Sequence, residues 1–279
     1  MKNILKIMLM MITIFTIAGS AVYAAEIPVS DQDQLITSSD WTEISNLQDE
    51  MKKEEPDATI DYDKALKVYV DCNLIKLQTA DTKKLTSALE SANYVWVIPF
   101  KMEKTYGMFT VAKGLPLSEE AKSVLTKAEQ EEVKNHAGKW MITEIAEHTV
   151  EPYYDILLEK REALSDCTRV VLVGSQPGMR QPVALGMDDE TARIWISLGY
   201  QYPVMEKIPE TQNVESGVYS FDSVAEISDT YIEDSEVSTG AGVQSRSSMK
   251  YVAGIGIVLI GGILILSVLK KKKIRIKFF

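Results

Sequence analysis

Leu66-Lys67-Val68-Tyr69-Val70-Asp71-Cys72-Asn73-Leu74 alternates apolar side chains with polar or amphipathic ones along its whole length. A period of two is the signature of a strand with one face buried. Asp81 then reads as the cap of a helix over Thr82–Ala92, with Leu85, Ala88 and Leu89 on one side and Asn93 as its stop. Tyr94–Ile98 returns to strand character and ends at Pro99; Tyr106–Lys113 follows as a third strand, antiparallel to it around Lys101–Thr105. Strand, helix, strand, strand predicts an α+β fold: a mostly antiparallel sheet with helices packed on one face.

The next passage has the same order. Gly114–Leu117 is a turn, and Ser118 with Glu119 and Glu120 opens a long polar helix to about Asn135. Lys139–Glu147 reads as a strand, with Trp140 and Ile142 on one parity and Ile145 on the other. Pro152 begins a helix over Tyr153–Leu164, and Arg169–Val173 is a short, nearly continuous apolar strand. Val183–Met187 and Arg193–Leu198 complete the pattern, joined by Asp188-Asp189-Glu190. The two passages share no residue-level identity, so one domain over residues 63–205 is the plainer reading.

Upstream, residues 26–62 are expected to form a loose polar lead-in, Glu26–Ser38, and an amphipathic helix, Asp40–Glu54. Trp41, Ile44, Leu47 and Met51 fall on one side of that helix, and Pro56 ends it. Downstream, residues 206–249 are rich in Ser, Thr, Gly and acidic residues. They predict a flexible tether, with room for one short element around Val218–Ile227.

The two ends set the expected topology. Lys2 and Lys6, the apolar run Ile7–Ala18 and small residues up to Ala25 read as a signal peptide over residues 1–25, cut after Ala24 or Ala25. Tyr251–Leu269 is an unbroken uncharged run whose helix would be about 28 Å long, the thickness of a bilayer's hydrocarbon core. Lys270–Lys273 follows at once, which places the basic tail, residues 270–279, in the cytoplasm. The expectation is a single-pass protein of the cell membrane with its larger part outside.

Of the 30 basic residues, two lie in the signal and seven from Lys250 onward. The intervening stretch therefore sets 21 against all 40 acidic residues. Such a surface repels nucleic acid and favours solubility. Cys72 and Cys167 are the chain's 2 cysteines. A bridge between them would close a loop of about 95 residues, worth about 4–5 kcal/mol by chain entropy. Two separate buried thiols fit the pattern equally well, since Cys72 shares parity with Val68 and Val70.

Candidate chemistry is sparse. Glu144-Ile145-Ala146-Glu147-His148 approximates a zinc motif but has Glu144 where a histidine belongs, and on a strand Glu147 faces away from the other two. Gly174-Ser175-Gln176-Pro177-Gly178 lacks the spacing of a nucleophile elbow and reads as a turn; if it binds, Arg180 and the loop amides suit an anionic group. Asp188-Asp189-Glu190 lacks the spacing of a calcium loop. No metal or cofactor is expected. Tyr153 and Tyr154 beside Pro152, with Tyr200 and Tyr202, are amphipathic side chains of the kind that line peptide or sugar sites.

The order of signal, outer domain, polar tether, span and lysine-rich tail resembles the single-span surface proteins of Gram-positive bacteria. Ser238-Thr239-Gly240-Ala241-Gly242 stands where a sorting motif would lie, so the resemblance implies retention in the membrane rather than attachment to the wall. The function expected is a non-enzymatic binding or sensing domain for a protein partner or surface polymer. The alternative is an accessory subunit of a membrane complex, with a surface hydrolase the weakest reading.

Overall fold

The structure, a computed structural model, describes residues 27–148, 152–174, 176, 182–199, 208 and 213–227. Two 3-10 turns, Asp31–Asp33 and Leu35–Thr37, precede helices α1 (Trp41–Ser45) and α2 (Gln48–Glu54). Strands β1 (Thr59–Ile60) and β2 (Leu66–Val70), helix α3 (Thr82–Glu90), and strands β3 (Asn93–Lys101) and β4 (Tyr106–Lys113) follow. Helices α4 (Glu119–Val124) and α5 (Lys127–His136) lead to β5 (Trp140–His148) and α6 (Tyr153–Glu159). The chain continues with β6 (Arg169–Val173), β7 (Val183–Met187), β8 (Ala192–Ser197), β9 (Asn213–Glu215) and β10 (Val218–Ser220). Residues 221–227 form helix α7.

All ten strands of the described residues belong to one sheet of order β5-β4-β3-β2-β6-β7-β8-β10-β9, with β1 paired to β3 off that path. Every pairing is antiparallel except β2 with β6. The class expected, α+β with a mostly antiparallel sheet, is the one observed.

The expectation of helices on one face alone is corrected. On one face, Leu85 and Leu89 of α3 with Phe221 and Val224 of α7 cover Tyr69, Val171, Leu185 and Trp195. Farther along that face, Ile44 and Met51 of α1 and α2 lie with Trp96, Ile98, Phe100 and Phe109. On the opposite face, Tyr153 and Leu157 of α6 pack on Val68, Val97, Leu172 and Ile196. The reason is topological: α6 links edge strand β5 to central strand β6, and that connection crosses the sheet. The nearly continuous apolar run of β6 serves both layers, Val170 and Leu172 on one side and Val171 and Val173 on the other.

Local chemistry explains several boundaries. Asp81 caps α3 as expected, accepting from Lys83 N at 2.9 Å and Lys84 N at 3.1 Å. The long helix expected after Ser118 is two helices, because Thr126 and Glu129 form a capping box that starts α5 afresh. The helix expected over Asp40–Glu54 is likewise divided, and the one expected over Tyr153–Leu164 stops at Glu159. Strand β3 does not end at Pro99 but runs through it. β2 pairs with β3 as far as Leu66↔Val97, and β1 takes over at Ile60↔Phe100. Pro99 sits in the gap between them, where its missing N–H breaks no ladder bond, and its carbonyl accepts from Asp61 N at 2.9 Å.

The opposite parity of Ile145 also has a cause. Thr110 pairs with Glu144 and Val111 with Ile142, leaving Thr143 as the extra residue of a bulge. The bulge returns Ile145 to the side of Trp140 and Ile142, where all three join one core cluster. Thr143 Oγ1 donates to Thr110 O at 3.1 Å.

The folded unit is longer than expected at both ends. Ile27, Val29 and Leu35 are 6%, 8% and 0% exposed, so residues 27–37 are no loose lead-in. Burying each such side chain contributes roughly 1.5–3 kcal/mol. Val218, Tyr219, Phe221 and Val224 are equally buried, so residues 213–227 belong to the fold rather than to the tether. No helix among the described residues is long and apolar enough to cross a membrane. The signal-like segment and Tyr251–Leu269 lie outside the described residues.

Candidate functional site

The sheet has one weak line, and an elaborate polar network of the described residues lies on it. Parallel strands β2 and β6 pair only at Val68↔Leu172 and Tyr69↔Val173. Below that, the two strands part and residues 27–35 fill the split. Val29 bridges Val170 on β6, and Gln34 bridges Leu66 on β2. Val170 N donates to Pro28 O at 2.8 Å, and Leu35 N donates to Ala65 O at 3.2 Å. A donor of β6 and the carbonyl just before β2 are thereby both paired by one inserted segment.

Asp33, 2% exposed, stands in this segment between the two strands. Its carboxylate accepts from Ser30 Oγ at 2.6 Å, Tyr69 OH at 2.7 Å and Arg169 Nη2 at 3.3 Å. Lys67 Nζ lies 3.6 Å away. Lys67 belongs to β2 and Arg169 to β6, so a single carboxylate bridges two cations that would otherwise repel across the seam. The Lys67 ammonium also lies over the rings of Tyr94 at 4.6 Å, Trp96 at 5.3 Å and Tyr69 at 5.8 Å.

Asp40 extends the network, accepting from Tyr94 OH at 2.9 Å and Trp96 Nε1 at 3.0 Å. Burial raises the pKa of Tyr69 above its ordinary value, and the hydrogen bond to the Asp33 carboxylate adds to the rise. Tyr94 is raised in the same way, by burial first and Asp40 second. Both phenols therefore stay protonated and act as donors. Among the described residues, Arg169 Nε is buried without a hydrogen-bond partner.

A neutral device closes the other end of the seam. Gln176, 3% exposed, accepts from Leu74 N at 3.1 Å and donates to Cys72 O at 2.6 Å and Gly174 O at 2.9 Å. The loop after β6 is thus tied to the loop after β2. Asp71 and Gln78, in the β2 loop, have positive φ of 59° and 48°. Beyond them an open groove of about 320 Å³ runs between Gln78–Ala80 and the Asp222 and Glu226 side of α7.

The residues singled out from sequence are dispersed. Tyr153 is 9% exposed, and burial pushes its hydroxyl up to about 12. Tyr154 packs half-buried against the same core cluster. Arg180, Tyr200 and Tyr202 lie outside the described residues. Cys72 and Cys167 are free thiols, because Cys72 belongs to the core on one face of the sheet and Cys167 to the core on the other. The strand carrying Glu144, Glu147 and His148 puts Glu147 on the opposite side from the other two positions. Among the described residues no group of three or more metal-ligating side chains comes together. Asp188 organises its own turn, accepting from Glu190 N at 2.8 Å and Thr191 N at 2.6 Å.

Asp33, Lys67 and Arg169 carry no motif; Asp40 reads as the start of a helix and Gln176 as part of the Gly174–Gly178 turn, neither as a polar anchor. The one available signal is a basic residue in the alternating run of β2, Lys67, and another at the head of β6, Arg169.

The thiols give a direct check on burial. Burial first pushes each up to about 11, above the ordinary value of 9.0. A thiol with a raised folded pKa stabilises the fold fully below its unfolded pKa and loses that contribution as pH rises through the folded one. Stability to urea is expected to fall between about pH 9 and 11. Iodoacetamide at pH 8 is expected to label neither cysteine until urea unfolds the chain; rapid labelling of the folded protein would contradict the burial described.

Comparison with protein-family models, with curated proteins and with solved structures finds no match.

Proposed function

We propose that this chain is a membrane-anchored extracytoplasmic domain that works by binding or sensing, without catalysis of its own. The observation carrying the anchor is the uncharged run Tyr251–Leu269 set directly against Lys270–Lys273, behind a folded unit and an acidic stretch. Binding is favoured over turnover by how the inward-facing polar side chains are used. Asp33, Asp40 and Gln176 each spend their hydrogen-bonding capacity on this chain's own strands and turns. The ligand is a protein partner or a surface polymer, and the acidic surface disfavours nucleic acid.

A second reading, an accessory subunit of a membrane complex, has its own support. Among the described residues β5 is paired on one side only, with β4. An open sheet edge is a natural template for a strand from another protein. Glu144 is exposed on that edge, and Lys84 is exposed on α3.

The test is crosslinking in intact membranes. A photoreactive residue at position 144 is compared with one at 84, in the natural chain and in one whose Tyr251–Leu269 is replaced by polyleucine. A partner captured from position 144 and kept through the swap supports the binding domain. A partner lost on the swap transfers the function to the span and supports the accessory reading. Protease digestion of intact cells that spares residues 27–227 would remove the extracytoplasmic assignment.

A further inference from the structure

We propose that the split between β2 and β6 is a peptide-binding slot, and that residues 27–35 are an internal ligand occupying it. The slot would take an acidic segment from a partner that turns as Asp31–Asp33 does, with apolar residues at its first and third positions and a carboxylate at its seventh. This inference deepens the binding reading above by naming the site and the chemistry of its ligand.

The occupant shows what the slot recognises. Ile27 and Val29 bury apolar side chains against the core that also holds Leu66, Val170 and Leu172. Main-chain bonding along the two strand edges is supplied through Pro28, Val29, Gln34 and Leu35. The carboxylate of Asp33 then reaches the paired cations, Lys67 and Arg169. Strand edge for affinity, apolar pockets for register and a charge for specificity are the parts of a strand-addition site.

Two observations mark the segment as a replaceable occupant. First, it fills the cation pair incompletely. Its contacts to Arg169 and Lys67 are long, at 3.3 and 3.6 Å, and Arg169 Nε is left buried without a partner. A carboxylate free to approach squarely would take two parallel bonds from the guanidinium. Second, the slot is cationic in a chain whose residues 26–249 are strongly acidic. With Asp33 withdrawn, Lys67, which lies over the rings of Tyr69, Tyr94 and Trp96, and Arg169 lose the anion they share. Such a site draws an anionic segment, and a displaced strap gives a binding event a mechanical output at the amino-terminal end of the domain.

The test uses the full chain in detergent micelles and a fluorescent nonapeptide with the sequence of residues 27–35. Weakening the internal ligand frees the slot more often, and apparent affinity rises with the fraction free. The peptide is expected to bind the Asp33→Asn chain at least tenfold more tightly than the natural chain. A peptide carrying asparagine at the Asp33 position is expected to lose that binding. Absence of saturable binding to a folded Asp33→Asn chain, or equal binding of the two peptides, would overturn the slot.

Hydrogen exchange of the natural chain is a second test that needs no variant. The amides of Leu35 and Val170, which bond across the split, are expected to exchange at least tenfold faster than those of Val171 and Leu172. Exchange at the same rate as the slowest core amides would make the strap a permanent part of the core and end the proposal. Neither outcome depends on the membrane, so failure of the slot and failure of the anchor are told apart.

Discussion

Trp96→Ala is expected to be the most damaging single substitution in the chain, at roughly 3–5 kcal/mol. Trp96 is 0% exposed and lies at the junction of everything the amino-terminal third builds. Its ring packs edge-on to Tyr94, at 6.3 Å and 90°, and forms part of the wall beneath the Lys67 ammonium. Its indole N–H is one of two donors to Asp40. Truncation therefore leaves a large cavity, removes a cation–π contact and half-strips a carboxylate. Trp96→Phe separates these effects, since it restores most of the volume but not the donor. Its cost is expected at about 1.5–3 kcal/mol, the worth of a hydrogen bond to a charged group. Urea unfolding followed by circular dichroism measures both, and equal costs for the two variants would mean that volume plays no part.

Asp33→Ala is expected to cost about 3 kcal/mol, through a different mechanism. Removing one partner from a buried ionic cluster leaves the others uncompensated. Here the Lys67 and Arg169 side chains, 11% and 19% exposed, would face each other with no anion between them. Tyr69 would lose its acceptor as well. The same substitution made together with Lys67→Met and Arg169→Met is expected to cost far less, because no charge is then stranded. Non-additivity of that kind identifies electrostatic clamping of the seam. If Asp33→Ala costs as much in the double-methionine background, the segment is held by Ile27, Val29 and Leu35 alone.

These two residues also mark the limit of what the sequence makes legible. Local rules work where the cause is local. The alternation from Leu66 places the start of β2, but the strand stops at Val70, where Asp71 takes a positive φ and sends Cys72 and Leu74 to the opposite core from Val68; the Asp81 cap places α3, and Tyr106–Lys113 and Arg169–Val173 are legible to the residue. Where local reading fails, some clue is still present. Thr126 and Glu129 spell the capping box that divides the long helix, and the shifted parity of Ile145 is the trace of a bulge. Pro99 misleads because the gap it occupies is created by β1 and β2 jointly. The network at the seam leaves no local trace. Asp33 and Arg169 are 136 positions apart and meet only because β6 lies beside β2, a pairing no periodicity encodes. Ile27, Val29 and Leu35 look like a loose lead-in because an inserted segment with two 3-10 turns has neither a helical nor a strand period.

The inserted segment has a consequence for the order in which the molecule can be assembled. A ribosome delivers residues 27–35 ahead of every strand they bind, and Arg169 is made last among the groups around Asp33. At about 5–20 residues per second, the interval between Asp33 and its guanidinium partner is roughly 7–27 s. For that time the hairpin of β3 and β4 can form beside β2, while the other half of the sheet does not yet exist. The earliest part of the domain to be synthesised is thus the last to be seated, and the molecule spends its birth with its keystone waiting outside the arch.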